Sequence, residues 1–332
     1  MYKWVEEIWY SKHPLGVVLI PLGWVYGGVA RVRRLLYVSG YLKAKRLPVP
    51  VIVVGNLTVG GTGKTPVVIW LVNYLRTLGY CPGIIARGYK GCAKQWPQQV
   101  RPDSDPVAVG DEAIVLARRC GCPVAVGPDR FVDAQTLLEQ NGCDLIVSDD
   151  GLQHFALGRD IEIVVVDGVR RHGNRRCLPA GPLREPVSRL RSVDGVVVNG
   201  IASPGEFSMK YRMLSPRSLL DETQEQPIEH FKHREVHALA GLGNPERFFA
   251  DLRALGLKVI QHPFPDHHSF AREDIEFGDG LPVLMTEKDA VKCRRFATPL
   301  HWYVPIEAGL PEVFRHRLLS LLKRKRNGQE TT

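Results

Sequence analysis

No C-x-x-C pair occurs among the seven cysteines, which stand scattered at 81, 92, 120, 122, 143, 177 and 293. That absence and the odd count argue against a zinc site or a disulfide framework and for a reducing compartment. Cys120-Gly-Cys122 reads as a helix end. No G-x-G-x-x-G opens a helix, which disfavours hydride transfer on a dinucleotide fold. No basic motif is interleaved with aromatics, so nucleic acid is not an expected partner. The longest uncharged run falls short of the ~20 residues a spanning helix needs. A basic cluster follows that run instead of a small-residue cleavage site, unlike a signal peptide. There is no internal repeat and no low-complexity block.

What is present is an ordinary globular composition over 332 residues, 44% hydrophobic and 24% charged, enough for two modest domains. The formal charge of +9 is uneven: residues 1–50 hold eight Lys/Arg (3, 12, 31, 33, 34, 43, 45, 46) against Glu6 and Glu7. Positive excess suits nucleic acid, anionic lipid or a phosphorylated substrate, and composition alone does not choose. The uncharged stretch "PLGVVLIPLGWVYGGVA" from Pro14 to Ala30 runs into "RVRR". Pro21 would kink a helix there. The pattern suits an interfacial helix, with Trp24 and Tyr26 at headgroup depth and Arg31, Arg33, Arg34, Lys43, Lys45 and Arg46 on anionic phosphates. A core helix of a soluble domain is the alternative.

The rest alternates. "VPVIVVGN" (49–56) is a β-branched run suited to a buried parallel strand. A glycine-rich loop follows, then a helical stretch stopped at Gly79. Further strands are expected at "CPGIIARGY", "PVAVG", "CDLIVSDDG", "DIEIVVVDG" and "SVDGVVVNG", with helices at "DEAIVLARRCG" and "RFVDAQTLLEQNG". The fold class is α/β: a phosphate-loop NTPase-like, mostly parallel sheet with helices on both faces, a second smaller α/β domain, and an N-terminal membrane-associating helix. The expected division is residues 1–46 as the basic, apolar segment, 47–205 as the phosphate-loop core, 206–235 as a connecting ribbon and 236–332 as the smaller domain. The tail "RKRNGQETT" is polar and expected to fray.

In "VGNLTVGGTGKTP" (54–66), Gly60, Gly61 and Gly63 let backbone N–H groups turn inward, and the helix that follows adds its positive end. Lys64 can reach β- and γ-phosphates, and Thr65 can ligate Mg²⁺. Thr58 stands where the usual motif has glycine, tolerable if its φ stays negative. Asp149-Asp150 close the strand "LIVSDDG", where such proteins place an ion-handling carboxylate; a turn before Gly151 is the alternative. In "GDEA", Asp111 and Glu112 fit either catalysis or a helix N-terminus. "LPAGPLREP" (178–186) is rigid enough to present Arg184 as a phosphate fork. "HPFPDHHSF" brings Asp266, His267 and His268 together, as a tuned base or as a surface cluster.

Taken in order, "VGNLTVGGTGKTP", "ARGY", "GDEA", "SDDGLQH", "LPAGPLREP", "AGLGNPERFF", "FPDHHSF" and "MTEKDAVK" resemble the tetraacyldisaccharide 4′-kinase family, over residues of about 48 to 295. The resemblance implies γ-phosphoryl transfer from MgATP to the 4′-hydroxyl of a lipid disaccharide 1-phosphate, at the cytoplasmic face of an inner membrane. It implies that Thr58, Val59, Gly60, Gly61, Thr62, Gly63, Lys64 and Thr65 bind ATP, and that Asp111 and His267 form a catalytic dyad with Lys64 and Arg184 supplying charge. Mg²⁺ would fall to Thr65, Glu112 and Asp149, and the substrate side to Tyr89, Arg130, Asp150, Gln153 and His154. The implied partners are the lipid substrate and an anionic membrane surface, with no nucleic acid and no obligate protein partner. "RRHGNRR" is less regular and receives no role. The competing class is a partition- or switch-type ATPase with a deviant loop, but that loop carries a lysine where Val59 stands here.

Overall fold

The structure, a computed structural model, describes residues 3–11 and 13–329. Lys12, counted in the basic N-terminus, and the last three residues of the polar tail lie outside the described residues.

Strand β1 (Val51–Gly55) is buried at every position, as its β-branched sequence predicts. It lies between β5 (Leu145–Asp149) and β6 (Ile161–Asp167), both parallel to it. Beyond β5 come β2 (Pro82–Ala86), β4 (Val124–Val126) and β3 (Gln98–Val100); beyond β6 come β7 (Gly195–Asn199), β8 (Phe207–Met213) and β14 (Ile306–Gly309). Only the two edge strands of this nine-stranded sheet, β3 and β14, run antiparallel to their neighbours. Helices α4 (Lys64–Thr77), α6 (Asp111–Cys120) and α10 (Glu312–Gln329) bury Val67, Leu71, Ile114 and Phe314 in one core on one face. Helix α7 (Arg130–Asn141) contributes Ala134 and Leu137 to the core on the other. A short helix, α5 (Pro106–Val109), leads into α6.

The smaller sheet has the order β11 (Lys258–Pro263), β10 (Glu235–Ala240), β12 (Val283–Thr286), β13 (His301–Val304) and β9 (Arg217–Ser218). Helix α8 (Pro245–Ala254) covers one face, and α9 (Glu287–Cys293) packs on the other.

Two segments depart from the expected boundaries. The 206–235 ribbon is divided, since β8 is a full strand of the large sheet and β9 belongs to the small one. The chain also returns: β14 pairs with β8, and α10 packs Phe314, Leu318, Leu321 and Leu322 against the α4 core. Residues 305–329 are therefore part of the first body in space. Helix α10 runs to Gln329, so the described part of the polar tail is helical. The two bodies are joined where β8 leaves for β9 and where β13 becomes β14, and these crossings hydrogen-bond each other, Leu214 N–H donating to Pro305 O at 2.8 Å.

At the N-terminus, α1 (Lys3–Tyr10), α2 (Pro14–Val18) and α3 (Ile20–Val38) form a docked unit. The break falls at Leu19, and Pro21 sits in the first turn of α3, where a proline costs no hydrogen bond. Trp9 Nε1 donates to Pro179 O at 3.0 Å, and Asn174 donates to Trp9 O at 2.9 Å and to Ile8 O at 3.2 Å. The other side of α3 leaves Leu22, Val25, Val29 and Val32 exposed, with Trp24 at 75% and Tyr26 at 39%.

Candidate active site

The phosphate loop follows β1 directly. Gly60 and Gly63 hold φ of 103° and 92°, which only glycine adopts without strain. Gly63 has a second reason to be glycine: a Cβ there would lie 1.6 Å from the hydroxyl of Tyr211, which comes over from β8. Asn56, fully buried, donates to Gly60 O at 3.2 Å and accepts from Lys64 Nζ at 3.2 Å, bracing the loop from within. Thr58 is not among the positive-φ residues; it is buried and forms an antiparallel bridge with Leu183. Val59 N–H donates to Pro182 O at 2.8 Å, and Arg184 N–H donates to Leu57 O at 2.6 Å. The rigid 178–186 segment is thus a short strand partner for 57–59. The amide of Val59 is spent on that bridge, so the donors left to a phosphate begin after it.

The bridge delivers Arg184 to the carboxyl end of β5. Arg184 Nη1 lies 3.1 and 3.2 Å from the two oxygens of Asp150, and Lys64 Nζ lies 3.5 Å from the same carboxylate. Gln153 donates to Asn56 O at 3.2 Å and to Glu185 at 2.9 Å. Arg130, buried at the start of α7, donates to Asp149 O at 3.1 Å. His154 is held by its backbone, its carbonyl accepting from Arg159; burial, then Arg130 and Arg159, lower its pKa.

Asp149 and Asp150 are adjacent yet electrically opposite. Asp149 ends the strand pointing inward, and burial, then the Glu112 carboxylate, push its pKa up to about 7. Its Oδ1 has no hydrogen-bond partner. Asp150 turns away through a left-handed backbone, φ 48°. Burial would raise it as well, but Lys64 and Arg184 outweigh that and hold it below the ordinary range.

The second half of the site comes from the gap between α6 and α9. Asp111 is the first residue of α6, not its cap: Gly110 occupies the cap position, and Asp111 Oδ1 accepts from Glu112 N–H at 3.0 Å. Its Oδ2 lies 3.1 Å from His267 Nδ1. His267 sits in the loop after β11 with φ 61°, and the ring of Tyr89 packs against it at 5.1 Å between centroids. Burial acts to raise the Asp111 pKa, but the His267 hydrogen bond, then Lys288 and Lys292, lower it. Lys288 Nζ donates to Glu112 Oε1 and Asp266 Oδ1, each at 3.1 Å, and lies 3.3 Å from His267 Nε2. Burial would lower the Lys288 pKa, but Glu112, Asp111 and Asp266 raise it. His268 faces the other way, to Asp274 at 3.1 Å.

The two halves meet at Glu112, whose charge acts on Asp149 while its carboxylate bonds Lys288. Sequence reasoning passed over Asn56, Tyr211 and Lys288. Asn56 follows Gly55 directly, and Lys288 lies in the quoted "MTEKDAVK"; Tyr211 gave no sign, because its place depends on β8 joining the sheet. Among the described residues no group of three or more His, Cys, Asp or Glu stands ready to hold a metal ion. The donors do fit a cation completed by phosphate and water: Asp149 carries an unpartnered buried oxygen and a pKa raised by burial and then by Glu112, a conflict a divalent cation would relieve.

The family model described as "LpxK: Tetraacyldisaccharide-1-P 4'-kinase" matches residues 15–323. The tetraacyldisaccharide 4′-kinase of Nitrosococcus oceani is 55% identical over 331 residues, covering 99% of this chain and 98% of that protein. That of Alkalilimnicola ehrlichii is 52% identical over 309 residues, 92% of each. A crystal structure of LpxK from Aquifex aeolicus in complex with ATP superposes with a TM-score of 0.78 at 31% identity, covering 93% of this chain and 99% of that one.

Proposed function

The chain belongs to the tetraacyldisaccharide-1-phosphate 4′-kinase family and is an ATP-dependent lipid kinase; from that premise we propose how its residues carry out the transfer. ATP lies with its phosphates on the loop amides from Gly60 to Thr65 and at the N-terminus of α4. Lys64 and Arg184, now on Asp150, turn their charge to the transferring phosphoryl group. A Mg²⁺ ion held by Thr65, Glu112 and Asp149 would neutralise charge on the phosphate oxygens.

The acceptor is the 4′-hydroxyl of a tetraacyldisaccharide 1-phosphate, a weak nucleophile near neutral pH. Asp111, kept ionised by His267 and Lys288, accepts its proton. His267 holds the carboxylate in place, and Tyr89, Arg130, Asp150, Gln153 and His154 line the acceptor side. His267 already stands against Asp111; movement of the small body about the paired crossings at Leu214 and Pro305 would open this contact for the acceptor to enter and re-form it with water excluded. The partition- or switch-type ATPase reading is not favoured.

No helix among the described residues is long and apolar enough to cross a membrane. The exposed stripe of Leu22, Val25, Val29 and Val32 on α3 suits a helix lying on the bilayer at the cytoplasmic face of the inner membrane. The acceptor's acyl chains then stay in lipid while its sugar reaches the site.

The observation that carries this reading is the contact of Asp111 with His267 beside Glu112 and the Asp149–Asp150 strand end. Mass spectrometry of the product from ATP and a tetraacyldisaccharide 1-phosphate tests it. Phosphate on the 4′-oxygen, with no ATP consumed when the acceptor is left out, is the expected result. Phosphate elsewhere, or acceptor-independent turnover, would refute it.

A further inference from the structure

His267 has two ring nitrogens, and the reading of Asp111 as base depends on which carries the proton. Lys288 decides it. An ammonium group has three N–H donors and no lone pair. Lys288 has three partners for them: Glu112 Oε1 at 3.1 Å, Asp266 Oδ1 at 3.1 Å and His267 Nε2 at 3.3 Å. Nε2 can meet Lys288 only as an acceptor. The ring proton of neutral His267 then belongs on Nδ1, where it is donated to Asp111 Oδ2 at 3.1 Å. The opposite tautomer sets an N–H against the Lys288 ammonium and a nitrogen lone pair against a carboxylate oxygen, two repulsive contacts at once. Asp266 Oδ1 also faces Nε2, at 3.7 Å, and would favour a proton there. That distance is beyond hydrogen-bond reach, and this oxygen already accepts from Lys288.

The position of Lys288 is itself secured. It lies in the first turn of α9, whose N-terminus is capped by Thr286 accepting from Asp289 N–H at 3.2 Å. The residue before it, Glu287, is paired with Arg119 of α6 at 2.8 Å. Lys288 therefore reaches across to Glu112 from a helix already fastened to α6.

We propose that Lys288 is a positioning residue: it holds His267 in the Nδ1–H tautomer, with that proton aimed at Asp111, and so keeps Asp111 an accepting carboxylate aligned for the acceptor hydroxyl. The inference rests on Asp111 and His267 acting as the dyad.

The test is ¹⁵N NMR of the histidine ring nitrogens in the full chain at pH 8, with His267 assigned by the signal lost in His267→Gln. The wild-type protein should show a pyridine-like Nε2 and a protonated Nδ1. Lys288→Met should move His267 toward the Nε2–H form and lower kcat by up to about a hundredfold, with KM for ATP little changed. Lys288→Arg, still a pure donor, should keep the tautomer and recover part of the rate. A wild-type Nε2–H ring overturns the proposal without needing any variant, as does a Lys288→Met protein with unchanged ring shifts and unchanged kcat. The underlying dyad fails separately, if His267→Ala turns over at the wild-type rate.

Discussion

Lys64 finds Asn56 eight residues earlier in the chain, whereas Asp111 finds His267 at a separation of 156 residues. The phosphate loop is braced by its own asparagine, by the strand before it and by the 178–186 segment bridged to it, all on the large sheet. The dyad is divided between two sheets and held by side chains that cross from α9 to α6: Lys288 to Glu112, and Glu287 to Arg119. A loop organised this way keeps its shape whatever the small body does. A dyad organised this way exists only while the two bodies are together, so nucleotide binding and acceptor activation should respond differently to the same disturbance.

The most severe test strikes the loop. Lys64→Ala should reduce turnover by about a hundredfold to a thousandfold and weaken ATP binding by calorimetry; ATP affinity and rate near wild type would remove the loop from the mechanism. On the other side, Asp111→Asn and His267→Ala should each cost about a hundredfold in kcat while ATP still binds. The double variant should be little worse than the worse single one, because groups acting as a unit are not additive. Independent, multiplied losses would show two separate roles.

A third test uses the contrast inside β5. The Asp149 pKa rises from 3.8 to about 7 on folding. Between those values the folded state binds the proton that the unfolded state has released, so stability falls as pH climbs from about 4 to 7 and stays low above. Asp149→Asn removes the buried charge. In the absence of nucleotide it should be more stable than wild type at pH 8.5, by up to ~4 kcal/mol, with little difference at pH 4, and it should be inactive. Thermal melts at both values check it, and an equal shift at both would contradict the burial argument.

Smaller effects follow further out. Arg119→Met unfastens α6 from α9 far from any phosphate. It should lower kcat a few-fold through the dyad and leave the dissociation constant for ATP unchanged; a matching loss in ATP affinity would erase the distinction between the halves. Smallest for the chemistry is the outer face of α3. Val25, Val29 and Val32 changed together to serine should weaken co-sedimentation with anionic vesicles while turnover on a detergent-dispersed acceptor stays near wild type. Deleting the first 35 residues would be a poorer test, because Ile8 and Trp9 are packed on the 174–179 loop.

Much of the first half is legible in the sequence because its information is local. A β-branched strand, closely spaced glycines and a helical stretch lie within thirty residues, and "LIVSDDG" marks a strand end by its own pattern. The opposite behaviour of Asp149 and Asp150 is not legible there, since it comes from a left-handed turn and from charges supplied by α4, α6 and the 178–186 loop. Nor is the membership of β8, β14 and α10 in the large body. A strand's partner is chosen by side-chain packing across the sheet, and nothing within "FSMKYRM" or "IEAG" specifies it.

The order of residues alone therefore determined a nucleotide loop, a chain of buried parallel strands, a basic and apolar N-terminus, and the motifs that mark the family. Tertiary structure alone decided that the amide of Val59 is already spent on Pro182, that Tyr211 closes over Gly63, and that Lys288 faces Nε2 of His267. Backbone conformation and burial pattern depend on neighbours a few residues away, and a sequence displays those. A donor facing one ring nitrogen depends on how α9 and the loop after β11 settle against each other, a matter of tertiary packing to a fraction of an ångström.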